Sequence, residues 1–226
     1  MKQKIVILLP ALNEEEGIGD TIKKIPIQEL EEQGYKCEII VVDGGSTDKT
    51  VEIVKQNNST ALISPKKGYG FQYKYALRNL DADYVVTGDA DGTYPVEIVP
   101  KLIKFLKENN LDFITTNRFH NPSKGAFSHT HFLGNKILTF IGNILFGLKL
   151  KDNQSGMWCF SLDKIRTLNL EDNDMAFSEE IKIKSFQKLK SCEIGIAYHP
   201  RVGQSKLNYG HAVKNMLFLF KLRILK

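Results

Sequence analysis

The chain has 226 residues, 42% of them hydrophobic and 25% charged, an ordinary composition for a soluble globular protein with one sizeable core. No apolar run approaches the roughly 20 residues that a transmembrane helix needs. The formal net charge of +5 suits anionic substrates or an anionic membrane surface, demands neither, and calls for no nucleic acid.

Cys37, Cys159 and Cys192 are odd in number and lack metal-ligand spacing, which points to reduced thiols in a cytosolic setting. The N-terminal apolar run, Ile5 to Leu9, is too short for a signal peptide and is predicted as a first strand stopped by Pro10. A loop, Ala11 to Glu16, leads into a helix carrying Ile18, Ile22 and Ile25, and a short helix over Ile27 to Gln33 follows Pro26. Glu38 to Val42 is a second strand, ending in D-G-G-S-T-D (residues 43–48), where Ser46 or Thr47 is expected to cap a helix from Thr50 to Gln56. Thr60 to Ser64 is a weak third strand, before Lys66-Lys67-Gly68-Tyr69-Gly70 and a helix to Leu80. That glycine turn is no dinucleotide fingerprint, because Tyr73 stands where the third glycine belongs.

Asp83 to Pro95, D-Y-V-V-T-G-D-A-D-G-T-Y-P, is the stretch that carries the most chemistry. Tyr84-Val85-Val86 is a buried parallel strand, and Asp89 and Asp91 flank a small Ala90 at its carboxyl end, where open α/β sheets bind ligands. Two carboxylates so placed can share a hard divalent cation that bridges to phosphate, although a solvated acidic turn has the same composition. A helix from Val96 to Glu108 and a fifth strand, Asp112 to Thr116, complete an alternation of strands and helices that implies a mostly parallel sheet. Beyond it come a polar loop, His120 to Ser128, and a helix, Leu133 to Leu148, with Lys136, Thr139 and Asn143 on one narrow stripe. Such a helix is buried or lies in a membrane interface. Asp152 to Trp158 is a turn into a short strand, Phe177-Ser178-Glu179-Glu180 opens a helix to about Lys190, and Ile194 to Tyr198 is a late strand. The chain ends in a basic, apolar helix to Lys226.

The motifs L-P-A-L-N-E-E, V-V-D-G-G-S-T-D, K-G-Y-G and G-D-A-D-G-T-Y-P stand in the order and spacing of family 2 glycosyltransferases, and T-N-R-F, D-N-Q-S-G-M-W and P-R-V-G-Q-S-K-L resemble the polyprenyl-phosphate sugar synthases such as dolichol-phosphate mannose synthase. The resemblance implies a GT-A fold, Rossmann-like, with a mostly parallel central sheet flanked by helices, residues 1–208 forming the catalytic domain and 209–226 a basic amphipathic helix. It implies that Pro10, Leu12, Asn13, Glu14, Asp43, Gly68 and Ala90 line the nucleotide-sugar pocket, that Asp89 and Asp91 hold Mg²⁺ or Mn²⁺, and that Arg118, Arg201, Ser205 and Lys206 grip the acceptor phosphate. The expected reaction moves a hexose, with inversion, from GDP-mannose or UDP-glucose to polyprenyl phosphate, on the cytosolic face of a membrane. A hydroxyl acceptor would instead need a base, for which Glu179 or Glu180 is the candidate, unless the pair simply suits a helix N-terminus. A catalytically idle nucleotide-sugar-binding subunit is the alternative of another class, and a membrane-anchoring partner subunit stays open. Gly44 and Thr93 depart from the family pattern, which often has Asp and Gln there.

Overall fold

A computed structural model describes residues 2–203 and 209–224. Seven strands form one sheet in the order β3-β2-β1-β4-β6-β5-β7. In chain order they are β1 (Lys4–Ala11), β2 (Lys36–Asp43), β3 (Thr60–Ile63), β4 (Tyr84–Thr87), β5 (Phe113–Pro122), β6 (Trp158–Ser161) and β7 (Ser191–Tyr198). β1, β2, β3 and β4 run parallel, as do β5 and β7, while β6 runs antiparallel between β4 and β5.

β1 reads as a continuous apolar run because both of its faces are covered. Ile5, Ile7 and Leu9 pack on one side with α1 (Ile18–Lys24), α2 (Ile27–Glu32) and α5 (Val99–Glu108). Val6 and Leu8 pack on the other with α4 (Tyr69–Asn79), α7 (Leu162–Arg166) and α8 (Phe177–Lys188). The strand continues through Pro10 rather than stopping there. Pro10 pairs with Val42 of β2 but lies beyond Leu8, the last residue aligned with β4, so its missing N–H disrupts no pairing on that side.

Three expectations are corrected. Neither Ser46 nor Thr47 caps α3 (Thr50–Gln56), because Ser46 bonds Asp43 and Thr47 bonds Asn13, while Asp48 accepts from the Thr50 amide at 3.0 Å. β5 extends to Pro122, past an irregularity between Asn117 and Asn121, because β7 pairs with it there. α6 (His129–Phe146) begins before Leu133, with the Ser128 hydroxyl accepting from His131 N at 3.2 Å, and ends at Gly147 in the left-handed conformation.

α6 and α9 (Tyr209–Ile224) pack together over α8 through Leu138, Ile183, Leu219 and Leu222. Among the described residues no helix is long and apolar enough to cross a membrane.

Candidate active site

The carboxyl ends of β1, β2 and β4 lie along one edge of the sheet, and the loops leaving β1 and β2 are stitched together. Asn13 adopts a left-handed backbone, φ 51°, and its side-chain oxygen accepts from Thr47 N at 2.7 Å, while its own amide donates to Ser46 Oγ at 2.8 Å. Asp43 is buried and accepts from the amides of Gly45 and Ser46 and from the Ser46 hydroxyl. Underneath, the buried Gln72 amide donates to the carbonyls of Ala11 (3.0 Å) and Val42 (2.9 Å). A Cβ at Gly44 would stand 2.8 Å from that amide nitrogen, so a side chain at this departure from the family pattern would dislodge Gln72. The Gly68 and Gly70 turn has a packing cause as well. Carbonyls of Asn173 and Asp172 approach to 2.5 and 2.6 Å of where their Cβ atoms would be, which binds the turn to the loop before α8.

In the loop after β4, Asp91 is buried and fully engaged. Its Oδ1 accepts from the Thr93 hydroxyl at 2.7 Å and the Thr93 amide at 3.1 Å, and its Oδ2 lies 2.7 Å from Arg201 Nη1. Thr93 therefore orients the carboxylate, which accounts for the second departure. Arg201 Nη2 pairs with Glu14, so one guanidinium bridges the loops after β1 and β4. Burial opposes the charge on Arg201, and Asp91 and Glu14 more than restore it. Asp89 is half-buried, and its carboxyl is pushed up to about 7 by burial and by Asp91, against the pull of Arg201 and Arg118.

β6 enters the sheet antiparallel, so the turn preceding it returns to the carboxyl edge of β4 and β5. Thr87 Oγ1 donates to Gly156 O at 2.8 Å, and Trp158 N donates to Thr87 Oγ1 at 2.9 Å. Gly156 N donates to Tyr94 Oη at 2.6 Å, and a Cβ on Gly156 would sit 3.3 Å from Asp89 Oδ1 and 2.9 Å from Tyr69 Oη, so only glycine allows this approach. Asp152 in the same turn takes Arg118 in a bidentate pair, Nε to Oδ2 at 2.7 Å and Nη2 to Oδ1 at 2.9 Å. Arg118 lies under the rings of Tyr198, Phe127 and Phe119, its guanidinium 5.3, 5.5 and 5.9 Å from their centroids. Burial works against its charge, but Asp152 holds it well above the usual range. Gln154 donates to Glu179, which is buried, pushed up to about 8 by that burial, and has a second oxygen with no hydrogen-bond partner among the described residues.

Asp43, Asn13, Glu14, Asp89, Ala90 and Asp91 thus share one edge, and Arg118 and Glu179 are tied to the turn at residues 152–156 beside it. Arg201 joins the carboxylates rather than Arg118. Glu180 is committed elsewhere: it accepts from the amides of Glu171 and Asp172 and pairs with Lys184 Nζ at 2.6 Å. Ser205 and Lys206 lie outside the described residues. Sequence reasoning gave no role to Gln72, Tyr94 or Asp152. Only the motif D-N-Q-S-G-M-W flagged Asp152, since nothing local announces a partner 34 residues away.

A divalent cation fits the chemistry of this edge. Asp89 and Asp91 offer hard oxygens, burial and then the like charge of Asp91 raise the proton affinity of Asp89, and a guanidinium already sits on Asp91.

The curated hexosyltransferase Agl6 of low-salt glycan biosynthesis in Haloferax volcanii is 35% identical over 205 residues, which are 89% of this chain and 49% of that protein, so the chain spans about half of this relative's length. The dolichyl-phosphate hexose transferase of the same organism is 26% identical over 90% of this chain and 86% of its own. Among solved structures, glucosyl-3-phosphoglycerate synthase from Mycobacterium tuberculosis with Mg²⁺ and UDP superposes with a TM-score of 0.77 at 21% identity, covering 98% of this chain and 79% of that one, and the shared fold is GT-A. Residues 6–168 match the Glycosyl transferase family 2 model. The chain belongs to glycosyl transferase family 2.

Proposed function

We propose that the chain is a cation-dependent, inverting hexosyltransferase that moves a sugar from a nucleotide diphosphate donor, GDP-mannose or UDP-glucose, to polyprenyl (dolichyl) phosphate. The observation that carries this reading is the turn at residues 152–156, which fixes a charged arginine, Arg118, next to the loop bearing Asp89 and Asp91. An arginine so held, with its Nη1 end outside the Asp152 pairing, matches a phosphate. The haloarchaeal relative named as a dolichyl-phosphate hexose transferase, and the mycobacterial neighbour crystallised with Mg²⁺ and UDP, support the acceptor and the cation.

Asn13, Glu14 and Asp43 then hold the nucleoside, with Pro10, Leu12 and Gly68 lining the same pocket. Ala90 leaves room for the diphosphate between the two carboxylates. A divalent cation on Asp89 and Asp91 supplies charge that stabilises the departing diphosphate. Arg118, with Ser205 and Lys206, orients the acceptor phosphate. One of its oxygens forms a bond to the anomeric carbon as the bond from that carbon to the diphosphate oxygen breaks, and the nucleoside diphosphate leaves. The attacking oxygen is already anionic near neutral pH, so no proton has to be removed.

Residues 1–208 form the catalytic unit in this reading, and α6 with the basic C-terminal segment, residues 209–226, to which α9 belongs, rests it on the cytosolic face of a membrane, a compartment that suits three free cysteines. A hydroxyl acceptor is the second reading, favoured by one observation: Glu179, with its carboxyl near 8, is suited to take a proton.

The test is a radiolabelled transfer assay with Mg²⁺, offering GDP-mannose and UDP-glucose separately to a short polyprenyl phosphate in detergent. Label enters the organic phase with one donor, and Asp91→Ala abolishes it. Nucleotide binding with no lipid product from either donor would discard the lipid-phosphate acceptor.

A further inference from the structure

The Arg201 guanidinium occupies Asp91, the carboxylate assigned to the cation, and holds Glu14 of the nucleotide pocket at the same time. Both oxygens of Asp91 are engaged, Oδ1 by Thr93 and Oδ2 by Arg201. Arg201 Nε is buried and has no acceptor among the described residues. The backbone around it is anchored to the same loop, His199 N to Thr93 O and Val202 N to Asp91 O, each at 3.0 Å. The guanidinium can therefore leave Asp91 by rotating its side chain without the segment swinging away.

A bare divalent cation meets two obstacles here. It must displace a charge-assisted pair and strand a half-buried guanidinium, and it finds few ligands, since among the described residues no three His, Cys, Asp or Glu side chains are placed to hold a metal ion together. A nucleoside diphosphate removes both. Its anionic oxygens give the guanidinium new acceptors, including a chance for Nε, and they complete the oxygen shell that a hard cation requires.

We propose that Arg201 is a placeholder cation: it keeps Asp91 closed to a divalent cation in the free protein and releases it only when a nucleoside diphosphate arrives to receive the guanidinium. Arg201 is then a positioning residue that makes binding of cation and nucleotide obligately coupled. This rests on the assignment of Asp89 and Asp91 as the cation site.

Mn²⁺ binding followed by electron paramagnetic resonance tests this without any turnover. The full chain is titrated with Mn²⁺ alone, with GDP and with UDP, alongside Arg201→Gln and Arg201→Lys, all shown to be folded by thermal melting. The wild type should bind Mn²⁺ weakly alone and roughly 10-fold or more tightly with its nucleotide. Arg201→Gln should bind Mn²⁺ alone about 10-fold more tightly than wild type, with the nucleotide enhancement shrinking towards one, and Arg201→Lys should fall between. Arg201→Gln that binds Mn²⁺ alone no better than wild type, while nucleotide still enhances binding, overturns the placeholder and leaves the cation site standing. Absence of Mn²⁺ from both proteins, even with nucleotide, overturns the cation site and the placeholder with it.

Discussion

Glu179 and Glu180 are neighbours at the start of α8, both fully buried, and their environments separate them. Glu180 is surrounded by two backbone amides and the Lys184 ammonium, a structural anchor with no acceptor to spare. Glu179 accepts from Gln154, and its carboxyl rises from the usual 4.5 to about 8 because burial outweighs the Gln154 and Asn215 amides and the nearby Lys182. Below about pH 6 Lys182 contributes little slope, because its ammonium, pushed down to about 7 by burial, is still protonated there in both folded and unfolded chains. Between pH 5 and 6 the folded chain thus holds a proton on Glu179 that the unfolded chain has lost, and this group makes stability fall as pH rises, by at most ~1.4 kcal/mol per pH unit. Glu179→Gln removes this share of the slope, leaving the share of the same sign from Asp89, while keeping an oxygen for Gln154. Over that window its melting temperature should hold more nearly level, and the wild type should drop by several degrees relative to it. Parallel melting curves would mean that Glu179 is already ionised in the folded chain. Transfer rates give the second contrast: with a phosphate acceptor Glu179→Gln stays active, and with a hydroxyl acceptor the rate falls and loses its rise towards pH 8.

At the scale of elements, the loop between α6 and β6 does the assembling. Asn143 of α6 bonds Leu150 in both directions (2.8 and 3.0 Å), Thr139 accepts from Asn153 N at 2.9 Å, and Asn215 of α9 donates to Gln154 at 3.3 Å. The polar stripe of α6 is therefore a set of hooks for the turn that carries Asp152, Gln154 and Gly156. Asp152→Asn should break the Arg118 pair and leave a guanidinium buried without its countercharge, costing about 3–5 kcal/mol. The expected result is a melting temperature lower by several degrees and loss of lipid transfer, with nucleotide binding retained because the pocket of Asn13 and Asp43 stands on other elements. Wild-type stability in Asp152→Asn would show that the pair carries no structural weight. The central strands and the D-x-D loop were legible in the sequence because apolar runs such as Ile5 to Leu9 and Val85-Val86 report burial locally, and acids at their ends report the ligand edge. The turn was legible only as a motif, since its function lies in pairs such as Gln154 with Glu179 and Arg118 with Asp152, to which sequence spacing is blind. Cap chemistry failed at Thr47 for the same reason, since its hydroxyl is taken by Asn13, 34 residues away, whereas Ser46 is taken locally by Asp43, three residues back.

For the molecule as a whole, α6 and α9 each present one apolar stripe outward. Leu133, Ile137, Phe140 and Ile144 on α6, and Val213, Leu217, Phe220 and Ile224 on α9, are exposed at the same helical spacing, i, i+4, i+7 and i+11, each stripe running ~16 Å. Exposed apolar surface of this extent marks an interaction face, and Lys136, Lys149, Lys214, Lys221 and Arg223 on or beside the same helices add attraction for anionic headgroups, near 1 kcal/mol each at low salt. The two helices also hold the turn that fixes Arg118, so in the proposed reading the arginine meant for the lipid phosphate depends for its position on the same helices that carry the apolar stripes. Each large apolar side chain transferred from water contributes up to about 1.5–3 kcal/mol, so Phe140→Ser with Leu217→Ser should weaken binding to vesicles at least ~10-fold. Flotation with vesicles containing anionic phospholipid should recover the wild type in the lipid layer, release the double variant, and show weaker recovery at high salt. Both side chains are exposed, so melting temperature and nucleotide binding should stay unchanged in the double variant. Wild type that stays with the soluble fraction at low salt would remove the bilayer as the occupant of this face and point to a protein, such as a membrane-anchoring subunit, covering the two stripes instead.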